Sequence, residues 1–418
     1  MRKILKGNIL SASTFGEMNC IKHGYLVYSD NRIENIYSEL PEEYYNLDIE
    51  DFGDALIMQS FSDMHLHAPQ YPMLGMGMDL PLLDWLNRYT FKIESKFSDT
   101  SYAKNVYKHF ASKLVEYGTT RVCMFSSLHT DATIILMDEL EKAGICGYVG
   151  KVCMDINSPE YYRESLESSK NDTLKWLDAC DSFKNIKPII TPRFTPSCSP
   201  DLLKWLGDIA LEKKLPIQSH LSENTDEINL VLKMYPDCDH YWQTYHKNGL
   251  WNSRTLMAHC VYSDKSERKA MRDAGVYAVY CADSNINIAS GIAPIRIMLD
   301  EGNKVVLGSD IAGGASLYMP EAIQMSIRAS KVYSVLSDWK IPYLTVSEGF
   351  YLATSAANEF FNEKPGFASG NTLHAVIIDD SKMIDTDSLS LFERFERCIY
   401  LAKPKDIIAV YSNGKRIK

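Results

Sequence analysis

Five residues with metal-ligand chemistry close four separate β-like runs of this chain. The first run ends Asp63-Met64-His65-Leu66-His67, and later runs end at His220 (after Gln218-Ser219), His259 (after Ala258) and Asp310 (after Gly308-Ser309). Residues i and i+2 of a strand share a face, so His65 and His67 point together. Neutral imidazoles with one carboxylate form a nitrogen and oxygen ligand set that suits Zn²⁺, or Fe²⁺ where that metal is supplied. A lone histidine at a strand end is usually just a satisfied polar residue, and an H-x-H by itself is a weak signal. Convergence of His65, His67, His220, His259 and Asp310 on equivalent strand ends is read instead as one metal site. His129, just after the second run, is a candidate for lining the same mouth. His23, His109, His240, His246 and His374 fall elsewhere and read as structural or exposed.

These ligands need a frame that brings distant strand ends together. Eight runs have strand character: Ser60–His67, Thr119–Phe125, Gly147–Met154, Pro188–Phe194, Pro216–Leu221, Thr255–Cys260, Val276–Cys281 and Lys304–Asp310. Amphipathic helices are expected between most of them, among them Asp131–Ala143, Pro200–Lys213, Lys265–Ala274 and Ile292–Glu301. Such alternation carried through eight strands predicts an α/β fold, a (β/α)8 TIM-like barrel, with its chemistry at the C-terminal strand ends. The termini differ. Lys3–Leu10, Gly24–Tyr28, Arg32–Tyr37, His374–Ile378 and Ile407–Tyr411 read as short strands, and Asn413-Gly414 is a hairpin signal before Lys415–Ile417. Residues 1–58 and 365–418 are therefore expected to pair into a small composite β-sandwich domain, with residues 59–364 forming the barrel.

Composition narrows the function classes. Of 418 residues 45% are hydrophobic, ample for a core of this size, and the net charge of −10 with dispersed basic residues argues against nucleic acid or an anionic membrane surface. No apolar run has the length of a membrane span. The ten cysteines include no C-x-x-C pair, so they read as reduced thiols of a cytoplasmic protein. The zinc deaminases that act on flipped or free bases through H-x-E and P-C-x-x-C motifs are excluded, since neither motif occurs.

The ligand pattern resembles the amidohydrolase superfamily, whose members are barrels with a small β-sandwich built from both termini. One branch holds two metals bridged by a carboxylated lysine at the end of strand four. Here that strand ends Thr191-Pro192-Arg193-Phe194, without lysine, so a one-metal site is expected. Within the superfamily the chain is similar to the guanine deaminase family. The similarity lies in His65-Leu66-His67-Ala68-Pro69-Gln70-Tyr71, Asp79-Leu80-Pro81-Leu82-Leu83-Asp84-Trp85-Leu86, Thr191-Pro192-Arg193-Phe194, Gln218-Ser219-His220-Leu221-Ser222-Glu223-Asn224 and Gly308-Ser309-Asp310-Ile311-Ala312-Gly313-Gly314. Gln59-Ser60, Ser309 and Asp283 depart from the family pattern without removing a ligand or a base-reading residue.

That resemblance implies zinc-dependent hydrolysis of guanine to xanthine and ammonia. Asp310 would bind the metal and take the proton of the attacking water, and His259 would position that water as well as ligate. Glu223, three residues after His220, would protonate N3 and then serve the leaving amine, a task needing a carboxyl near its working pKa. The competing reading of Glu223 is a solvated carboxylate at a helix start, since Ser222, Asn224 and Thr225 also mark one. Gln70, with donor and acceptor, and Arg193, with a rigid donor fork, would read the base beside Phe194 and the ligand His220. Trp85, in the Met-rich stretch 72–86, is expected in a lid over the base. A homodimer is expected. Competing readings are a related deaminase or chlorohydrolase acting on another purine, pyrimidine or triazine, and a non-catalytic barrel scaffold.

Overall fold

The barrel strands succeed one another in chain order. In the computed structural model, which describes residues 2–383 and 389–418, they are Phe61–His67, Thr119–Phe125, Cys146–Gly150, Ile186–Pro188, Ile217–Leu221, Thr255–His259, Tyr277–Tyr280 and Lys304–Leu307. The first four pair in parallel in that order, and so do the last four. A parallel bridge from Ile190 to Ile217 joins the two runs. The ring closes on the other side, where the Asp310 N–H donates to the His65 carbonyl at 2.8 Å and the His67 N–H donates to the Ile311 carbonyl at 3.1 Å. Gly308 permits that closure, because a Cβ there would lie 2.8 Å from the Cβ of His65.

Several elements are shorter than their sequence patterns. The expected third strand breaks at Lys151 into Cys146–Gly150 and Val152–Cys153, and the fourth reduces to Ile186–Pro188 and Thr191–Pro192. Pro188 and Pro192 offer no N–H to a ladder, which limits the pairing there. The eighth strand stops at Leu307, so Asp310 projects from the loop beyond it. The helix expected over Ile292–Glu301 runs Ile295–Asp300, with Pro294 as its N-cap.

Helices clothe the barrel where side-chain caps start them. The Asp99 carboxylate accepts from the N–H groups of Ser101 and Tyr102 at the head of Thr100–Glu116, and Ser199 does the same for Leu202 at the head of Pro200–Glu212. Their apolar faces, such as Phe110, Leu114, Leu202 and Leu206, are fully buried against the strands.

Both termini build one seven-stranded sheet. Its spatial order is Lys415–Arg416, Ile407–Ser412, Ala375–Ile378, Ile49–Gln59, Arg2–Ser11, Asn19–Ser29 and Arg32–Tyr37. The Asn413-Gly414 turn has φ of 50° and 71°, as a type I′ hairpin requires. One face packs Leu5, Ile9, Leu26, Ile57 and Ile377 into a separate small core, while Leu56, Met58, Val376 and Val410 join the barrel core. The strand Ile49–Gln59 went unread in the sequence: Glu50, Asp51, Gly53 and Asp54 mask its first half. Met1 and residues 384–388 of the expected composite unit lie outside the described residues. No helix among the described residues is long and apolar enough to cross a membrane.

Candidate active site

All five sequence-predicted ligands converge at one barrel mouth. The ligand atoms of His65, His67 and His220 lie within 4.8 Å of one another, as do those of His65, His259 and Asp310. Asp310 Oδ1 is 3.2 Å from His65 Nε2 and 3.5 Å from His67 Nε2, and its Oδ2 is 3.8 Å from His259 Nε2. His259 and Asp310 hold their positions with left-handed backbone, φ 76° and 47°, a conformation uncommon outside glycine and frequent at functional loops.

The surroundings favour neutral rings with inward lone pairs. His220 Nδ1 donates to the Arg193 carbonyl at 2.6 Å, and His259 Nδ1 faces Asn285 Oδ1 at 2.8 Å. Each acceptor assigns the proton to Nδ1 and leaves Nε2 bare. Burial, reinforced by the charge of His65, holds His67 and His220 well below the usual imidazole range; burial against the opposing pull of Asp310 takes His259 to about 4. His67 Nε2 and His220 Nε2 nonetheless face each other at 3.2 Å. With His220 Nε2 bare, and His65 Nε2 turned to the same point beside the Asp310 carboxylate, the donor set fits a divalent cation. Behind it, Asp63 accepts from the Ser309 N–H at 2.9 Å and the Ser309 hydroxyl at 2.5 Å, tying the strand that carries His65 and His67 to the loop that carries Asp310. Lys151, fully buried, is engaged by Glu164 at 2.6 Å.

Glu223 is not a helix cap. The helix Thr225–Met234 is capped by Asn224 and Glu227 in a reciprocal box, and Glu227 Oε2 also accepts the Glu223 N–H at 3.0 Å. The Glu223 side chain is thereby released into the pocket, with Oε2 at 3.4 Å from His259 Nε2 and Oε1 buried without a partner. Burial, then the charges of Glu227 and Asp310, push its carboxyl well above the usual range. Asp310 behaves oppositely: burial would raise it, but its hydrogen bond with His65 and the charges of His65 and His259 hold it lower.

Polar and apolar side chains complete the pocket. Gln70, Arg193, Phe194 and Trp85 line it, as the sequence predicted, together with Leu82, Leu86, Ser284 and Ile288. Trp85 is anchored in a packed apolar cluster, its indole N–H donating to the Met76 carbonyl at 2.9 Å and its ring clustering with Met73, Leu82 and Phe91. His129 does not line this pocket. It precedes the helix Thr130–Ala143 and faces a neighbouring groove beside Tyr162, because strand two ends at Phe125 and the intervening loop carries it outward.

One participant escaped the sequence reading. Arg193 does not stand free: its Nη1 and Nη2 donate to Glu94 at 2.5 and 3.2 Å, and Gln70 Nε2 donates to the same carboxylate at 2.8 Å. The sequence around it, Phe91-Lys92-Ile93-Glu94, carries no signal that would have found it.

Comparison with known proteins agrees with this geometry. The amidohydrolase family profile matches residues 56–417. A guanine deaminase of Dictyostelium discoideum is 38% identical over 377 residues, covering 88% of this chain and 84% of its own. A guanine deaminase from C. acetobutylicum, solved with guanine in its active site, superposes with a TM-score of 0.98 at 41% identity over the whole of both chains. An adenosine deaminase from Xanthomonas campestris with bound zinc shares the fold alone, at TM-score 0.84 and 18% identity over 99% of this chain and 92% of its own.

Proposed function

The chain belongs to the amidohydrolase family and, within it, to the guanine deaminases, and we propose that its barrel mouth hydrolyses guanine to xanthine and ammonia with one zinc ion per chain. It is a hydrolase of carbon–nitrogen bonds. The observation that carries the mechanism is that four of the five ligands (His67, His220, His259 and Asp310), Glu223 and the Gln70–Arg193 pair line a single pocket.

His65, His67, His220, His259 and Asp310 would hold the metal. Bound there, zinc (or iron where cells supply it) would acidify water to give a nucleophile near neutral pH. Asp310, kept ionised by its histidine neighbours, receives the proton of the attacking water. Glu223, kept protonated by burial, delivers a proton to N3 as oxygen adds at C2. Glu223 then takes the proton of the new C2 hydroxyl and passes it to the 2-amino group, which leaves as ammonia as the carbonyl of xanthine forms, and the proton held on Asp310 returns to Glu223 to restore both carboxyls. Gln70 and Arg193 hold the purine edge, Phe194 and Trp85 its faces, and His259 orients the water.

The boundaries belong to the same proposal: residues 1–58 and 365–418 as the β-domain, 59–364 as the catalytic barrel. So does a cytoplasmic setting, supported by ten unpaired cysteines, eight of them buried. A homodimer is proposed as well, supported by exposed Leu336, which ends the helix Met319–Leu336, and exposed Trp339 just after it. A panel of guanine, adenine, cytosine and a chlorotriazine tests the substrate. Guanine should be turned over at least about 100-fold faster than the others, since a site that hydrogen-bonds an edge group rejects analogues lacking it. Preference for any other member would replace this reading.

A further inference from the structure

Glu94 is fully buried and does not itself line the pocket. Its carboxylate instead lies behind Gln70 and Arg193, both 2% exposed, and accepts from each of them. A carboxylate only accepts hydrogen bonds, so it settles how its partners are turned. The Gln70 amide is pinned at both ends: Nε2 donates to Glu94 at 2.8 Å, and Oε1 accepts the Ala312 N–H at 3.1 Å. One N–H and one lone pair of the amide remain for a ligand. Arg193 commits two of its donors to Glu94 and stacks over Phe91, with its Cζ 5.1 Å from the ring centroid. Phe91 and Glu94 both belong to the short helix Phe91–Glu94, which follows the pocket residues Leu82, Trp85 and Leu86.

We propose that Glu94 is the positioning residue for base recognition, its carboxylate turning the Arg193 fork and the Gln70 amide into the orientation that reads the guanine edge. The inference rests on the roles given above to Gln70 and Arg193. A plain neutralising counter-ion would need to meet Arg193 only. Glu94 meets both readers at once and joins them to the stretch that carries Trp85, so base recognition and the placement of that stretch share one anchor.

The test compares Glu94→Gln, Glu94→Asp, Arg193→Ala and the Glu94→Gln/Arg193→Ala double variant in the metal-loaded enzyme. Glu94→Gln keeps the volume but sets an N–H₂ against the donors of Arg193 and Gln70. It should lower kcat/KM for guanine by about 10- to 150-fold, the range for hydrogen bonds to charged groups, mostly through KM, with metal content unchanged. The double variant should lose little more than Arg193→Ala alone, since both changes remove one unit. Wild-type kcat/KM in Glu94→Gln, or losses that multiply in the double variant, would overturn the proposal. Should Glu94→Gln fail to fold, Glu94→Asp keeps the charge and withdraws it by one methylene; it should raise KM about 10-fold or more, and a wild-type KM would overturn the proposal equally. If the wild-type enzyme itself forms no xanthine, the substrate reading has failed instead. The positioning role is then decided by a crystal structure of Glu94→Asp, in which unmoved Gln70 and Arg193 side chains would refute it.

Discussion

His220 Nδ1 donates to the backbone carbonyl of Arg193 at 2.6 Å, so a metal ligand is aimed by the main chain of the residue proposed to read the base. The two tasks of the site therefore separate at one residue: the Arg193 backbone serves the metal and its side chain serves the substrate.

Arg193→Ala should exploit that separation. The carbonyl remains for His220, so metal content should match the wild type, while kcat/KM for guanine falls by about 10- to 150-fold. The variant should also be less stable by about 3–5 kcal/mol, because Glu94 would be left as a buried carboxylate without its cation. Metal analysis, steady-state kinetics and a denaturation midpoint on one preparation check all three. Loss of metal with the side chain would contradict the division of labour.

Glu223→Gln should do the reverse. Asn224 and Glu227 carry the capping duty, so the helix Thr225–Met234 should be undisturbed. Guanine should still bind and metal should be retained, but turnover should fall by roughly 10²–10⁴-fold, the usual contribution of general acid–base catalysis. The loss belongs in kcat more than in KM. Near-normal turnover would return Glu223 to a passive carboxylate, and loss of metal would make it a ligand.

The ligands were legible because their signals are local. A strand alternates, so His65 and His67 declare a shared face within three residues, and Gln70 and Glu223 follow ligands closely enough to be carried by the same strand ends. Glu94 had no such signal. It is 99 residues from Arg193 in the chain, and nothing in its own neighbourhood marks a pairing that exists only once the barrel closes. The strand Ile49–Gln59 was lost for another reason: its acidic first half contradicts strand preference, and its place in the middle of the terminal sheet outweighs that preference. Asp63 sat in plain view beside His65, yet its tie to Ser309 is again a contact across the closed ring.

Metal stoichiometry should be one divalent cation per chain. Lys151 is occupied by Glu164, and Arg193, just after the Thr191–Pro192 strand, is engaged by Glu94, so neither offers a bridge to a second metal. Elemental analysis checks this, and two tightly held cations would contradict it. Chelation should abolish turnover yet leave the far-ultraviolet circular dichroism near that of the loaded protein, because the barrel has its own large core.

Stability should fall as pH rises through neutrality, in part because of Glu267. Burial lifts its carboxyl to about 7, against the lowering effect of hydrogen bonds from Ser263 and Ser222. The native state then binds a proton that the unfolded chain, with an ordinary carboxyl near 4.5, releases earlier. The contribution is fully present below about pH 4.5 and is lost as pH rises to about 7. Glu267→Gln should therefore gain in melting temperature relative to the wild type as pH goes from 5 to 8. A difference that stays constant across that range would show that Glu267 titrates normally.

The most direct test of the central claim is simultaneous measurement of xanthine and ammonia from guanine by the purified, metal-loaded chain, beside the same chain stripped by a chelator and then reconstituted with one equivalent of zinc. The account predicts equal amounts of the two products from the loaded enzyme, none above background from the stripped one, and recovery on reconstitution. Absence of xanthine from the loaded enzyme, or undiminished turnover after verified removal of the metal, would contradict it.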